Sequence, residues 1–252
     1  MAPTETHTKL LTAAARETLR PMGLVQRGRS RTWIDDGGWW LCVVEFQPSS
    51  WSKGSYLNVG AMWLWRRETE DIYFAVGHRV SDPDFVRFES EAQFAPEAQK
   101  LAALAAERVA HYRELFVDVR SAAAFLDRRG DGHNPHLDAL DAGIAWGFVG
   151  EVERAARSFE RSHAIIERYW SDWASAVESR TDEERTLARA EGVFLPDPSE
   201  GPSYRAELDA DHALVARYES LLADPTSFRA EIEEAINLVR EKLRLPVRPN
   251  EA

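Results

Sequence analysis

A single cysteine, Cys42, stands among 252 residues, so no disulfide can close within the chain. Lysine is nearly as scarce, with only Lys9, Lys53, Lys100 and Lys242 among 31 basic residues; with the many alanines, this arginine bias suggests a GC-rich bacterial coding sequence. No apolar run approaches the roughly 18–20 residues that cross a bilayer, and the opening MAPTETHTKLLTAAARETL reads as a helix, not as a charged-then-apolar leader. The expectation is a cytoplasmic protein with no membrane partner. Basic charge is short overall, 31 Lys+Arg against 42 Asp+Glu, and the formal charge of −11 argues against nucleic acid as the main partner. Phosphate binding needs an electropositive surface that releases counterions. Missing too are the nucleophile elbow G-x-S-x-G, the P-loop, G-x-G-x-x-G and H-E-x-x-H. No catalytic residue and no cofactor is therefore expected, and the balance leans against an enzyme.

What is present is enough for a sizeable core. A hydrophobic share of 44% is normal for a globular chain, and this length suits one large domain or two ordinary ones. The acidity is unevenly placed: 11 basic residues face 12 acidic ones before residue 95, and 20 face 30 after it. Leu10, Leu11, Ala14, Ala15 and Leu19 recur at helical spacing, and Pro21 and Gly23 stop that pattern. From Leu24 the period changes. LVQR, SRTWID, WWLCVVEFQ, YLNVGAMWLW and IYFAVGH are short segments rich in Val, Ile and aromatics, separated by turn residues. Connections this short permit hairpins but not parallel crossovers, so four or five antiparallel strands are expected.

After SDPDF the pattern turns helical and alanine-rich. A long helix is expected over 95–128, broken near Arg120 and Ser121, then two helices that meet near Gly147 to Gly150. Thr181 and Asp182 are cap candidates for the next helix. The proline-rich stretch GVFLPDPSEGPS reads as a linker before two final helices. Gly143, Trp146, Gly150, Ala155 and Phe159 fall at the offsets of a tetratricopeptide hairpin, but no second copy follows at a 34-residue period; the alternative is a close-packed helix pair with glycines at the crossing. The expected class is α+β. A helix and antiparallel sheet occupy 1–94 and a helical region packed on the sheet occupies 95–192, with the tetratricopeptide-like hairpin at 137–166. A linker at 193–203 and a C-terminal helical hairpin at 204–245 follow.

The order helix, GLVQRGRSRTWID, then WWLCVVEFQPSSWSKGSYLNVG resembles the bacterial domain of unknown function 4304 family, in the N-terminal part of the chain only. The matching positions are Gly23, Gly28, Phe46, Gln47, Ser49, Ser50, Leu57, Asn58, Val59 and Gly60; Pro48 stands where that family more often carries Lys or Arg. The resemblance implies a fold and no activity. Its members occur near toxin-immunity loci, which is an association and not a mechanism.

Two groups of residues are candidate binding sites. Arg27, Arg29 and Arg31 alternate at strand spacing and would line one face if the chain stays extended through Gly28, forming a stripe suited to carboxylates or phosphates. Gln47, Ser49, Ser50 and Trp51 sit in the polar loop between the two longest strand segments. If Gln47 is buried, its amide needs partners, and the loop backbone is the nearest supply. The loop is thus either a ligand contact or a braced hairpin end. Six tryptophans, Trp33, Trp39, Trp40, Trp51, Trp63 and Trp65, fall within this region; core filling is the plain reading, with Trp51 the most exposed member. Asp131, His133, His136 and Asp138 have the right types for zinc, but H-x-x-H across Pro135 does not place two imidazoles on one helix face, so no metal is expected and Asn134 or Asp131 is read as a helix cap. Cys42 lies mid-strand as an inert core thiol, and Glu45 is read as an ion-pair partner.

The sequence therefore points to a non-enzymatic bacterial interaction module, possessing a protein partner or self-associating, of the immunity or accessory kind. The alternative is a protein that binds an anionic small molecule or nucleotide through the arginine stripe and the Gln/Ser loop, with enzymatic activity left open.

Overall fold

The structure is a computed structural model and describes residues 6–80, 82, 84–129, 134–191 and 195–246. Helix α1 (Thr6–Leu19) leads into strands β1 (Val25–Gln26), β2 (Thr32–Asp36), β3 (Trp40–Gln47), β4 (Gly54–Trp63), β5 (Val76–Arg79) and β6 (Val86–Arg87). All pairings are antiparallel in the order β1-β2-β3-β4-β5, and β6 pairs with the start of β4. Helices α2 (Glu91–Leu115), α3 (Val119–Arg128), α4 (Pro135–Phe148), α5 (Val152–Glu178), α6 (Asp182–Ala190), α7 (Gly201–Leu221) and α8 (Pro225–Lys242) follow. The chain is α+β, as its periodicities require. The two-residue strand β6 lies beyond the segments read as strands, because two residues carry no period.

The chain divides into two compact units. One is Asp118–Ile232, and the other is formed by the chain on either side of it. The division does not fall at 94, where the composition changes, nor does it keep 204–245 together. The shift to alanine-rich helix marks a change of element rather than a domain boundary. Ala98, Leu101, Ala102, Ala105 and Val109 of α2 are buried, and α2 packs on α1 and on β3 and β4, within the first unit.

In that unit both faces of the central strands are buried, which excludes an aromatic sheet face left open for a partner. Trp40, Cys42, Val44 and Phe46 point one way and Leu41 and Val43 the other, all at most 4% exposed. Phe116, just after α2, sets its ring edge-on to Trp40 and Trp63 at 5.2 and 5.0 Å. Trp39 stacks on Trp65 at 5.5 Å, and Trp63 on Trp65 at 5.1 Å. A buried indole removes roughly 150–250 Å2 from water, on the order of 4–6 kcal/mol each before the entropy of ordering is subtracted. Core filling thus accounts for most of the tryptophans. The rim is tied by ion pairs: Asp35 is gripped by Arg113 of α2 and Asp36 by Arg240 of α8, at 2.7 Å each.

Local signals explain where the helices start and stop. The break in the long helical stretch comes at Phe116 to Asp118, just before Arg120, because the Asp118 carboxylate accepts from the Ser121 N–H and starts α3. Thr181 and Glu184 form a reciprocal capping box at the start of α6. Asn134 occupies the N-cap position of α4 but makes no side-chain cap bond, and Asp131 lies outside the described residues. The linker at 193–203 is only partly described; its second half is already a 3-10 turn (Pro198–Glu200) and the first turn of α7. In the second unit α4 and α5 form an antiparallel pair turned at Gly150, whose φ of +78° favours glycine. Gly143 is the close approach: a Cβ there would lie 2.3 Å from the Phe159 ring.

Candidate functional site

The β3–β4 hairpin end is built from a row of polar side chains on one sheet face. Antiparallel register sets Glu45 opposite Asn58, Gln47 opposite Tyr56, and Asn58 opposite Arg79. Cross-strand neighbours share a face, so these groups meet. Asn58, 7% exposed, donates from its amide nitrogen to Glu45 Oε2 at 2.8 Å and to Gln47 Oε1 at 2.9 Å. Arg79 donates to the same Gln47 oxygen at 2.9 Å and lies 3.8 Å over the Tyr56 ring, which in turn contacts Phe85. Gln47 is thus held by side chains of neighbouring strands, not by the loop backbone expected to supply its partners. Glu45 has an amide partner from Asn58 where an arginine was expected.

The other side of the loop is fixed by β6. Lys53 O accepts from Phe88 N at 2.9 Å, and Gly54, at φ +149°, runs so close to β6 that a Cβ would meet Val86 O at 2.2 Å. Ser55 is fully buried and donates to the Tyr56 carbonyl. Within the loop the Ser49 hydroxyl accepts from Trp51 N at 3.1 Å, and Ser50 is exposed. Trp51 is 94% exposed. The arrangement is a braced turn that presents one bare indole.

The arginine stripe does not assemble. Residues 27–31 close the β1–β2 hairpin, with Arg27 N bonded to Thr32 O, Ser30 N to Arg27 O, and Gly28 at φ +58°. A tight turn destroys the alternation that an extended chain would give. Arg27 pairs with Asp71 at 2.7 Å and, with the Ile72 N–H, holds that carboxyl below its usual range. Arg31 donates to the Thr8 hydroxyl on α1, and Arg29 is exposed. A cavity of about 650 Å3 does open beside Arg27, between Val25, Ile34, Lys242 and Arg244. None of Arg29, Arg31, Gln47, Ser49, Ser50 or Trp51 lines it. Two of its cations are already matched, Arg27 by Asp71 and Lys242 by Glu70 at 2.6 Å. The convergence of six side chains on one anion that the alternative reading needs is absent.

His136 and Asp138 part company: His136 Nε2 lies 3.3 Å from Asp211, while Asp138, 4% exposed, pairs with Arg129 at 2.9 Å. Asp131 and His133 lie outside the described residues, and among the described residues no group of three or more His, Cys, Asp or Glu is placed to hold a metal. Cys42 is fully buried, and burial, then the neighbouring Asp35, pushes its thiol pKa far above the ordinary value. No helix among the described residues is long and apolar enough to cross a membrane. Sequence reasoning missed Asn58 as the centre of the polar row and Arg79 altogether. The signal available was three amide or acid side chains, Glu45, Gln47 and Asn58, at alternating positions of two adjacent strands. Comparison of the chain with protein-family models, with curated proteins and with solved structures gives no match.

Proposed function

We propose that this chain is a non-enzymatic protein-interaction module, of the immunity or accessory kind with which the domain of unknown function 4304 family is associated. The site of contact is the β3–β4 loop, and the partner is a protein presenting an apolar pocket with an acidic rim. The observation that carries this reading is Trp51, 94% exposed on a loop fixed from both sides. A bare indole gains nothing for folding, but it is the side chain that most often anchors an interface when a partner covers it. Bracing matters because a loop that is already ordered loses little entropy on binding. Arg87 pairs with Gly54 across β4 and β6 at the base of the loop, and Lys53 lies two residues along the chain from Trp51, so basic residues border the loop. That choice of partner charge follows from electrostatic complementarity.

The test is affinity purification from the native lysate with wild-type chain and with Trp51→Ala, followed by calorimetry with the recovered protein. Truncating such an anchor is expected to weaken binding about 30-fold or more, equivalent to ~2 kcal/mol. An unchanged affinity in a folded Trp51→Ala protein, or recovery of no partner at all, would overturn the proposal.

A further inference from the structure

The second unit contains a cleft that the loop does not use. It measures about 420 Å3 and is lined by Asp127 of α3 and by Arg154, Arg157, Ser158 and Arg161 of α5. Positions three and four apart share a helix face, so α5 points three guanidiniums and one hydroxyl at the same space. Asp127 is the one carboxylate in the lining, and it is already engaged. Its Oδ2 accepts from Trp146 Nε1 at 2.6 Å, and its Oδ1 accepts from the Ser158 hydroxyl at 3.1 Å and faces Arg161 at 3.4 Å. Arg161 also donates to the Asp127 carbonyl. Asp127 therefore orients the floor of the cleft and neutralises only one of three positive charges.

Arg154 is oriented too, with its guanidinium 4.5 Å over the ring of buried Trp146. Arg157 makes no side-chain hydrogen bond or ion pair among the described residues. The plain alternative is that Arg154 and Arg157 are solvated arginines facing Glu153 and Glu160 along the helix. Neither acid lines the cleft, and three like charges on one helix face within two turns raise the energy of the empty state.

We propose that this cleft binds the phosphoryl group of a small phosphorylated metabolite. The lining sets three guanidiniums against one carboxylate, an excess of positive charge that suits a phosphate dianion, and guanidinium forks from Arg154 and Arg157 suit its oxygens, with Ser158 and Arg161 beneath. The volume admits a compact organic group beside the phosphate. Glu151, Glu153 and Glu160 flank the arginines along α5 and oppose the continuous basic track that a nucleic-acid strand requires.

Thermal unfolding of the full chain with inorganic phosphate and pyrophosphate, against sodium chloride of equal ionic strength, tests the site. A saturable rise in Tm of roughly 5 °C at a hundredfold excess over Kd is expected. Arg157→Gln and Arg154→Gln should each lower the affinity at least tenfold, Arg157→Lys should fall between, and Arg168→Gln, off the cleft, should change nothing. Arg157 is exposed, so its variants keep the wild-type circular dichroism spectrum. The proposal is overturned by the absence of a saturable shift at millimolar pyrophosphate. It is also overturned by unchanged affinity in folded Arg157→Gln, or by a single-stranded oligonucleotide binding more tightly than pyrophosphate.

Discussion

Asn58→Asp changes one donor into one acceptor with no change of shape. In the native protein the Asn58 amide gives both of its hydrogens away, to Glu45 and to Gln47. The variant carboxylate would instead face the Glu45 carboxylate across the same 2.8 Å. Two full charges at about 3 Å in an effective dielectric near 20 repel by about 5 kcal/mol. The molecule can escape by binding a proton, which restores an O–H donor between the two carboxyls. Keeping a group with an ordinary pKa near 4 protonated at pH 7 costs three pH units at 1.36 kcal/mol each, about 4 kcal/mol. That sets the ceiling. Arg79 lies within reach at the shared Gln47 oxygen and offsets part of the cost, so a loss of about 3 kcal/mol is expected at pH 7. The sign follows from linkage. The pair's folded pKa is raised, so the variant matches wild type best below the unfolded pKa near 4, and its deficit grows as the pH rises toward 7. Urea denaturation of both proteins near pH 4 and pH 7 measures the difference, with Asn58→Leu as a control that removes the donor without adding a charge and whose deficit should change less with pH. A deficit under about 1 kcal/mol at pH 7, or one equal at both pH values, would show that the polar row does not hold the loop.

Two further perturbations probe the frame around the sites. Gly143→Ala sets a helix-propensity gain of about 1 kcal/mol against overpacking on the fully buried Phe159 ring, 2.3 Å from the new methyl, that costs about 1–3 kcal/mol; a net loss is expected in urea titrations. Phe159→Leu in the same background should recover part of it, and a Gly143→Ala protein as stable as wild type would refute the close crossing. Because burial raises the Cys42 thiol pKa, the stability that group contributes is complete below the ordinary thiol pKa of about 8.5 and declines as the pH climbs above it. Native protein should resist a disulfide reagent until denaturant is added; rapid labelling of the folded chain would contradict the buried placement.

Much of the fold was written in local pattern. The Val, Ile and aromatic enrichment of WWLCVVEFQ and its neighbours, with the short turns between them, forces antiparallel hairpins, and the helical spacing of apolar residues in the alanine-rich stretch after residue 95 forces helices. Thr181 with Glu184 is legible as a capping box because both groups lie within one turn. The arginines at 27, 29 and 31 misled, because strand spacing carries meaning only where the backbone stays extended and Gly28 allows it to turn. Arg154, Arg157 and Arg161 were equally visible as a helix face, yet a charged face is ordinarily solvated, and no spacing rule announces the cleft against Asp127.

By itself the sequence determined the class of the elements long enough to carry a pattern, the antiparallel hairpins and the burial of Cys42 in mid-strand, because these depend on residues near in the chain. Tertiary structure alone decided that Asn58 and Arg79 close on Gln47, that the arginines at 27, 29 and 31 turn apart, and that Asp127 of one helix faces the arginines of another. Those outcomes depend on register and on packing between elements far apart in the chain, and a linear pattern carries no information about which distant partner a side chain will meet.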